Sequence, residues 1–230
     1  MKAFVVDLDS RENQSILKSS TRCSNNQAHQ INEATKKIYE LIKNAKHSND
    51  GIVLNHNKIK EAFFSPFKPQ LKNAQVFLSH SHADKNEALK VKGYLEEDLD
   101  AECVFIDSLF WDYKDDVLNE LAKYDDISRI EDAFTLILRE SLEDMIKKCP
   151  YFVFLQSKNS VSNQGLSRNQ DLLKITHSAW IYEELKIAHS ISESRPIPMM
   201  ESMQVFHDIS PFLESFETIT LKKLSQQINS

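Results

Sequence analysis

Gln75-Val76-Phe77-Leu78-Ser79-His80-Ser81-His82-Ala83-Asp84 passes from an unbroken apolar run into hydroxyl, imidazole and carboxylate groups. A short run rich in β-branched and aromatic residues, closed by polar ones, predicts a strand buried on both faces, as strands of parallel sheets are. Residues Asp84 to Glu97 follow with Ala88, Val91 and Leu95 on one face, as a crossover helix requires, and Glu102 to Asp107 supplies a second buried strand. The segment therefore reads as one βαβ unit.

Toward the C-terminus the alternation continues. A helical stripe of Leu138, Leu142, Met145 and Ile146 precedes a third apolar run, Tyr151 to Ser157, and a fourth run, Ile197 to Met200, follows a helix that starts after Ser178. Strands alternating with helices predict an α/β, doubly wound, mainly parallel sheet of flavodoxin-like type. Residues 158–177 form a polar connection longer than most in compact domains.

Toward the N-terminus the texture is different. Ala3 to Leu8 is a short strand-like run, and residues 10–30, rich in Ser, Asn and Gln, read as a loop. Ile31, Ala34, Ile38, Leu41, Ile42 and Ala45 recur at helical spacing, and Ile59 to Phe64 forms a second helical run that ends at Ser65-Pro66. This predicts an N-terminal helical extension over residues 1–70 and a main domain over residues 71–230.

Composition narrows the function. The 230 residues carry 28 Lys plus Arg against 34 Asp plus Glu, a net charge of −6, which disfavours a nucleic-acid-wrapping protein because that affinity rests on neutralised phosphates. The apolar stretches are far shorter than the roughly 20 residues of a membrane-spanning helix. Asp7 and Asp9 interrupt the place where a secretory signal builds its apolar region, so export is not expected. Cys23, Cys103 and Cys149 are odd in number and lack C-x-x-C spacing, which fits a reducing cytoplasm and neither a disulfide framework nor a zinc site. With only three glycines, neither G-x-x-x-x-G-K-[ST] nor G-x-G-x-x-G can be written. Cys103 and Cys149 read as small core residues, and no metal site is expected from the scattered histidines.

Open parallel sheets bind ligands beyond the carboxyl ends of their strands, which directs attention to Ser79, His80, Ser81, His82 and Asp107. Two readings of Ser79 to His82 stand side by side: contacts to a phosphate or ribose, or capping of the following helix. The sharper pattern is Ser178-Ala179-Trp180-Ile181-Tyr182-Glu183-Glu184-Leu185, with Ser178 as N-cap. At about 100° per residue from Trp180, the apolar Ile181, Leu185, Ala188 and Ile191 define an arc that contains Glu184 near about 40° and leaves Glu183 outside near about 300°. A carboxylate on an apolar helical face costs free energy unless it is paired, protonated or at a cleft edge. Glu184 is thus either a structurally paired carboxylate or a functional one.

Together, Val76-Phe77-Leu78-Ser79-His80-Ser81 with Asp84, Val104-Phe105-Ile106-Asp107, Cys149-Pro150 through Gln156-Ser157, and Ser178-Ala179-Trp180 through Glu184-Leu185 resemble bacterial Toll/interleukin-1 receptor (TIR) domains in order and spacing. The resemblance covers about residues 72–205. It implies that Glu184, four residues after the helix tryptophan, is the catalytic glutamate that cleaves the nicotinamide-ribose bond of NAD⁺, with Phe77, Ser79, His80, Asp107 and Trp180 lining the substrate path. It further implies NAD⁺ as substrate with no separate cofactor, self-association through TIR domains, and similarity to Thoeris-type anti-phage TIR proteins whose nucleotide product a partner effector senses. Ser108 to Asp116 departs from the family, being aromatic and acidic where many TIR domains carry a Pro-Gly turn, and residues 121–140 and 158–177 are longer than the usual pattern. Two rival expectations remain: a non-enzymatic TIR adaptor, for which Glu184 is dispensable, and a nucleoside-processing enzyme of similar sheet topology.

Overall fold

The computed structural model describes residues 1–19, 36–37, 40–41, 46–48, 51–53, 55–64, 72–99, 103–106, 108, 118–119, 122, 127–164, 173–193 and 207–229. The chain divides into two compact units, one of Met1–Ser24, Ala74–Asp107 and Ile146–Ser230, the other of Asn25–Asn73 and Ser108–Met145.

The first unit is built on a five-stranded sheet of β1 (Lys2–Asp7), β4 (Val76–Ser79), β5 (Val104–Ile106), β6 (Tyr151–Gln156) and β10 (Glu217–Thr218), in the order β10-β1-β6-β4-β5. Every pairing in it is parallel. The expectation of an α/β, doubly wound, mainly parallel sheet is met, but the flavodoxin-like order is not: β5-β4-β6 follow one another as expected, and the next place is held by the N-terminal β1 instead of a later strand. β6 lies at the centre, with Tyr151 aligned on Lys2 of one neighbour and Val76 of the other. Its Phe152, Val153, Phe154 and Leu155 are all fully buried, which explains why a central parallel strand reads as a continuous apolar run rather than an alternating one. Phe77 stacks between Phe105 and Phe152, with ring centroids 5.7 Å away on each side. Burying each such ring contributes roughly 2–3 kcal/mol.

The strand expected in an N-terminal extension instead lies inside this sheet. β1 pairs with β6 along its whole length and with β10 on its other side, and Phe4, Val5 and Val6 are buried. Within residues 10–30, expected as a loop, residues 20–30 lie outside the described residues and Arg11–Ser19 is instead helix α1. Its buried stripe pairs an apolar Leu17 with a polar Asn13, so the apolar pattern is halved. Asn13 is satisfied in the interior: its Nδ2 donates to the Asp7 carbonyl at 2.7 Å and its Oδ1 accepts from Leu221 N at 3.0 Å.

The crossover helix, α3 (Lys85–Leu99), follows β4 after one 3₁₀ turn, His82–Asp84. Ala88, Val91 and Leu95 are buried as the periodicity predicts. α3 also protects the sheet edge. The Val104 backbone faces away from β4, and the Lys92–Glu96 ion pair holds it: Lys92 Nζ donates to Val104 O at 3.0 Å while Glu96 Oε1 accepts from Val104 N at 3.1 Å. Backbone groups at a sheet edge that side chains occupy in this way are not open to a second chain at that residue.

Beyond β6, the polar connection contains β7 (Ser162–Gln164) and β8 (Leu173–Thr176), which pair antiparallel, and β9 (His207–Asp208) completes a small three-stranded sheet. Helix α5 (Ala179–Glu193) leaves β8, and α6 (Ser210–Ser215) and α7 (Leu221–Ile228) flank β10. The Ile197–Met200 run lies outside the described residues. The place beside β6 is taken by β1.

In the second unit, β2 (Lys46–Ser48) and β3 (Gly51–Val53) form an antiparallel pair. Lys60 of α2 (His56–Phe64) reaches Glu140 at 3.1 Å and Asp144 at 2.9 Å on α4 (Ile127–Lys148). The helical run at residues 31–45 falls outside the described residues apart from 36–37 and 40–41. Among the described residues, no helix is long and apolar enough to cross a membrane.

Candidate functional site

The chain leaves β4 to one side for β5 and returns to the other side as β6, so the order of the sheet switches between β4 and β6. At such a point the loops diverge and leave a crevice beyond the carboxyl ends, which is where ligands of open α/β sheets bind. Ser79 ends β4 there, opposite Phe154 of β6.

Glu184 meets Ser79 at this edge. The Ser79 hydroxyl donates to Glu184 Oε2 at 2.6 Å, and both residues have no solvent exposure. A short hydrogen bond to a carboxylate is among the stronger kinds, and it offsets part of the cost of removing that group from water. The helical wheel identifies the right glutamate: Glu184 is fully buried, whereas Glu183 is partly exposed and pairs with Lys186 at 3.7 Å. The wheel drew the buried arc too narrow, however. Lys186, Ile187 and Ser190 are buried as well, because α5 is covered on more than one side.

The approach of α5 is set locally. Ser178 caps the helix as expected, its Oγ accepting from Ile181 N at 3.2 Å, and such a cap contributes about 1 kcal/mol. Ser178 N in turn donates to Thr176 Oγ1 at 3.2 Å, which ties the cap to the end of β8. Trp180 is half-buried in the first turn, one helical turn before Glu184 and on the same side. The opposite side carries Tyr182, whose ring packs on Phe212 at 5.5 Å. Burial, with Glu183 and Asp208 adding to it, holds the Tyr182 hydroxyl above its ordinary value, so it stays a neutral phenol.

The other residues expected at the site divide. His80 directly follows Ser79 and is 3% exposed, so it belongs to the floor of this edge rather than to an open surface. Phe77 is one pleat before Ser79 on the same face, but its stacking between Phe105 and Phe152 places it in the core, beneath any bound molecule. Asp107 lies outside the described residues.

A buried polar hub went unnoticed in the sequence. Asp84, 5% exposed, accepts at Oδ2 from the Ser157 hydroxyl and at Oδ1 from Asn159 Nδ2 at 2.6 Å. Ser157 Oγ also accepts from Asn159 N at 3.0 Å and Ser160 N at 3.3 Å, which fixes the turn after β6. This hub straps the end of β6 to the turn after β4. An Asp in the first turn after a strand is an ordinary helix-start residue, which is why its spacing gave no signal.

Cys103 and Cys149 are structural. Burial pushes the Cys103 thiol up to about 11 and the Cys149 thiol up to about 12, far from the range in which a thiolate nucleophile operates. Among the described residues, no three His, Cys, Asp or Glu side chains gather as a metal site. Glu184 is a buried carboxylate with a hydroxyl donor, one helical turn after a tryptophan, at the switch point of a parallel sheet. No protein-family model, no curated protein and no solved structure matches this chain.

Proposed function

We propose that this chain is a TIR-type NAD⁺ glycohydrolase or cyclase in which Glu184 is the catalytic residue. The observation that carries the reading is the Ser79–Glu184 contact: a fully buried glutamate, one turn after Trp180, at the sheet edge where a nucleotide would enter. It is supported by the order of the motifs along the chain and by the parallel sheet that presents them.

In this reaction the bond between ribose C1′ and the nicotinamide nitrogen breaks, nicotinamide departs with the bonding electrons, and the ribose acquires oxocarbenium character. A carboxylate beside the ribose stabilises that charge without needing to reorganise, which is the dominant way such sites lower a barrier. Water then adds to C1′ and loses a proton, giving ADP-ribose, or an adenine nitrogen adds instead and gives a cyclic product. The nucleophile that is held nearest selects between them. Trp180 walls the pocket in this proposal, and His80 borders it. Self-association through the TIR fold, an effector that senses the product, a role in anti-phage defence and a cytoplasmic location belong to the same proposal.

A second reading is a non-enzymatic TIR adaptor or scaffold. The complete burial of Glu184 favours it, since an internal brace between α5 and β4 has the same geometry.

The test is NAD⁺ consumption with mass-resolved products for wild type, Glu184→Gln and Glu183→Gln, at concentrations that promote assembly. Loss of nicotinamide release by at least about 100-fold in Glu184→Gln alone supports the enzyme. Equal turnover in all three sinks the Glu184 assignment. Intact NAD⁺ in all three, with phage components added, moves the assignment to the adaptor.

A further inference from the structure

Ser79 was expected on the substrate path, yet its hydroxyl points at protein. We infer that Ser79 is the positioning residue for Glu184, a role that rests on the proposed reading of that glutamate and deepens it. Ser79 is fully buried at the end of β4, its register fixed opposite Phe154 of β6, which places its Cβ. β4 is paired on both sides over Val76 to Leu78, and its last residue, Ser79, is paired with β6. A glutamate side chain has three rotatable bonds and loses much conformational freedom when held in one geometry. Donation from Ser79 Oγ to Oε2 at 2.6 Å commits one carboxylate oxygen and thereby orients the plane of the group. The strand supplies the precision that the helix side chain lacks.

The two roles separate kinetically. A positioning residue acts on the charge-stabilising step and changes kcat, whereas a wall of the pocket changes KM. In the full-length protein, Ser79→Ala is expected to lower kcat by about 10- to 100-fold, the range for losing a hydrogen bond to a charged group, with KM close to wild type. Ser79→Thr keeps the hydroxyl on a residue suited to strands and is expected to recover most of kcat. Thermal melting of each variant identifies any that fail to fold. A Ser79→Ala enzyme with wild-type kcat, or one whose whole loss lies in KM, overturns the inference.

A readout independent of activity separates this inference from the proposed function. If wild type leaves NAD⁺ intact, the reaction assigned to Glu184 fails, and the crystal structure of Ser79→Ala still decides the positioning role. A Glu184 carboxylate found in a new or in several positions upholds it. A carboxylate unmoved from its wild-type place overturns it.

Discussion

Asp84 and Ser157 stand 73 residues apart in sequence and are joined by a hydrogen bond from the Ser157 hydroxyl to the buried carboxylate. Asn159 donates to the other oxygen, so one side chain holds the turns that follow two neighbouring strands. Asp84→Ala leaves the Ser157 hydroxyl buried without that acceptor. Its cost is expected to be on the order of 3 kcal/mol, with Asp84→Asn intermediate, as read from urea unfolding. A loss below about 1 kcal/mol for Asp84→Ala would show that the hub is dispensable.

β1 is an internal strand, and its removal leaves β6 with an unpaired edge. Deleting residues 1–9 is expected to yield aggregated or unfolded protein, assessed by size exclusion and circular dichroism. Phe4→Ala, a milder change at a fully buried ring, should cost about 3–5 kcal/mol. A soluble, cooperatively folding deletion variant would contradict the strand placement.

Lys92 is buried, Glu96 is partly buried, and the two share the Val104 backbone, so their contributions should not add. Glu96→Gln is expected to lose about 3 kcal/mol because it leaves the Lys92 charge buried without its partner, and Lys92→Met somewhat less because Glu96 is partly exposed. The double variant should lose less than the sum by about 1–3 kcal/mol. Additive losses in a double-mutant cycle would rule out the coupled pair.

Cys103 and Cys149 should resist alkylation at pH 8 in native protein and react once it is unfolded, when followed by mass spectrometry in a Cys23→Ser background. The sign of the pH dependence follows from the raised values. Folding keeps these thiols neutral, so their contribution is complete below the ordinary thiol value of 9.0 and declines as pH rises from there toward about 11 for Cys103 and about 12 for Cys149. Rapid native labelling, or stability that increases from pH 9 to pH 11, would contradict the burial.

Much of the sheet and the central glutamate were legible in the chain itself. Val76–Ser79, Val104–Ile106 and Tyr151–Gln156 form strands where apolar runs mark them, because burial on both faces of a parallel sheet demands such runs. The helical period separates Glu184 from Glu183 because neighbouring residues on a helix point about 100° apart, which here puts Glu184 in the interior and leaves Glu183 partly exposed. The Ser178 cap is likewise a local event, decided within one turn.

What the sequence could not reveal depends on contacts between distant segments. Phe4-Val5-Val6 reads as a strand, but nothing local says that it enters between β6 and β10, since parallel strands choose their neighbours by tertiary packing and not by turn chemistry. Asn13 looks like a loop residue until the Asp7 carbonyl and the Leu221 amide appear on either side of it. The sequence by itself determined the alternating elements and the helical face of Glu184, through periodicities that act over a few residues. Only the tertiary structure decided that Ser79, 105 positions earlier, meets that carboxylate, because a hydrogen bond across such a separation exists only after the sheet and α5 have packed together.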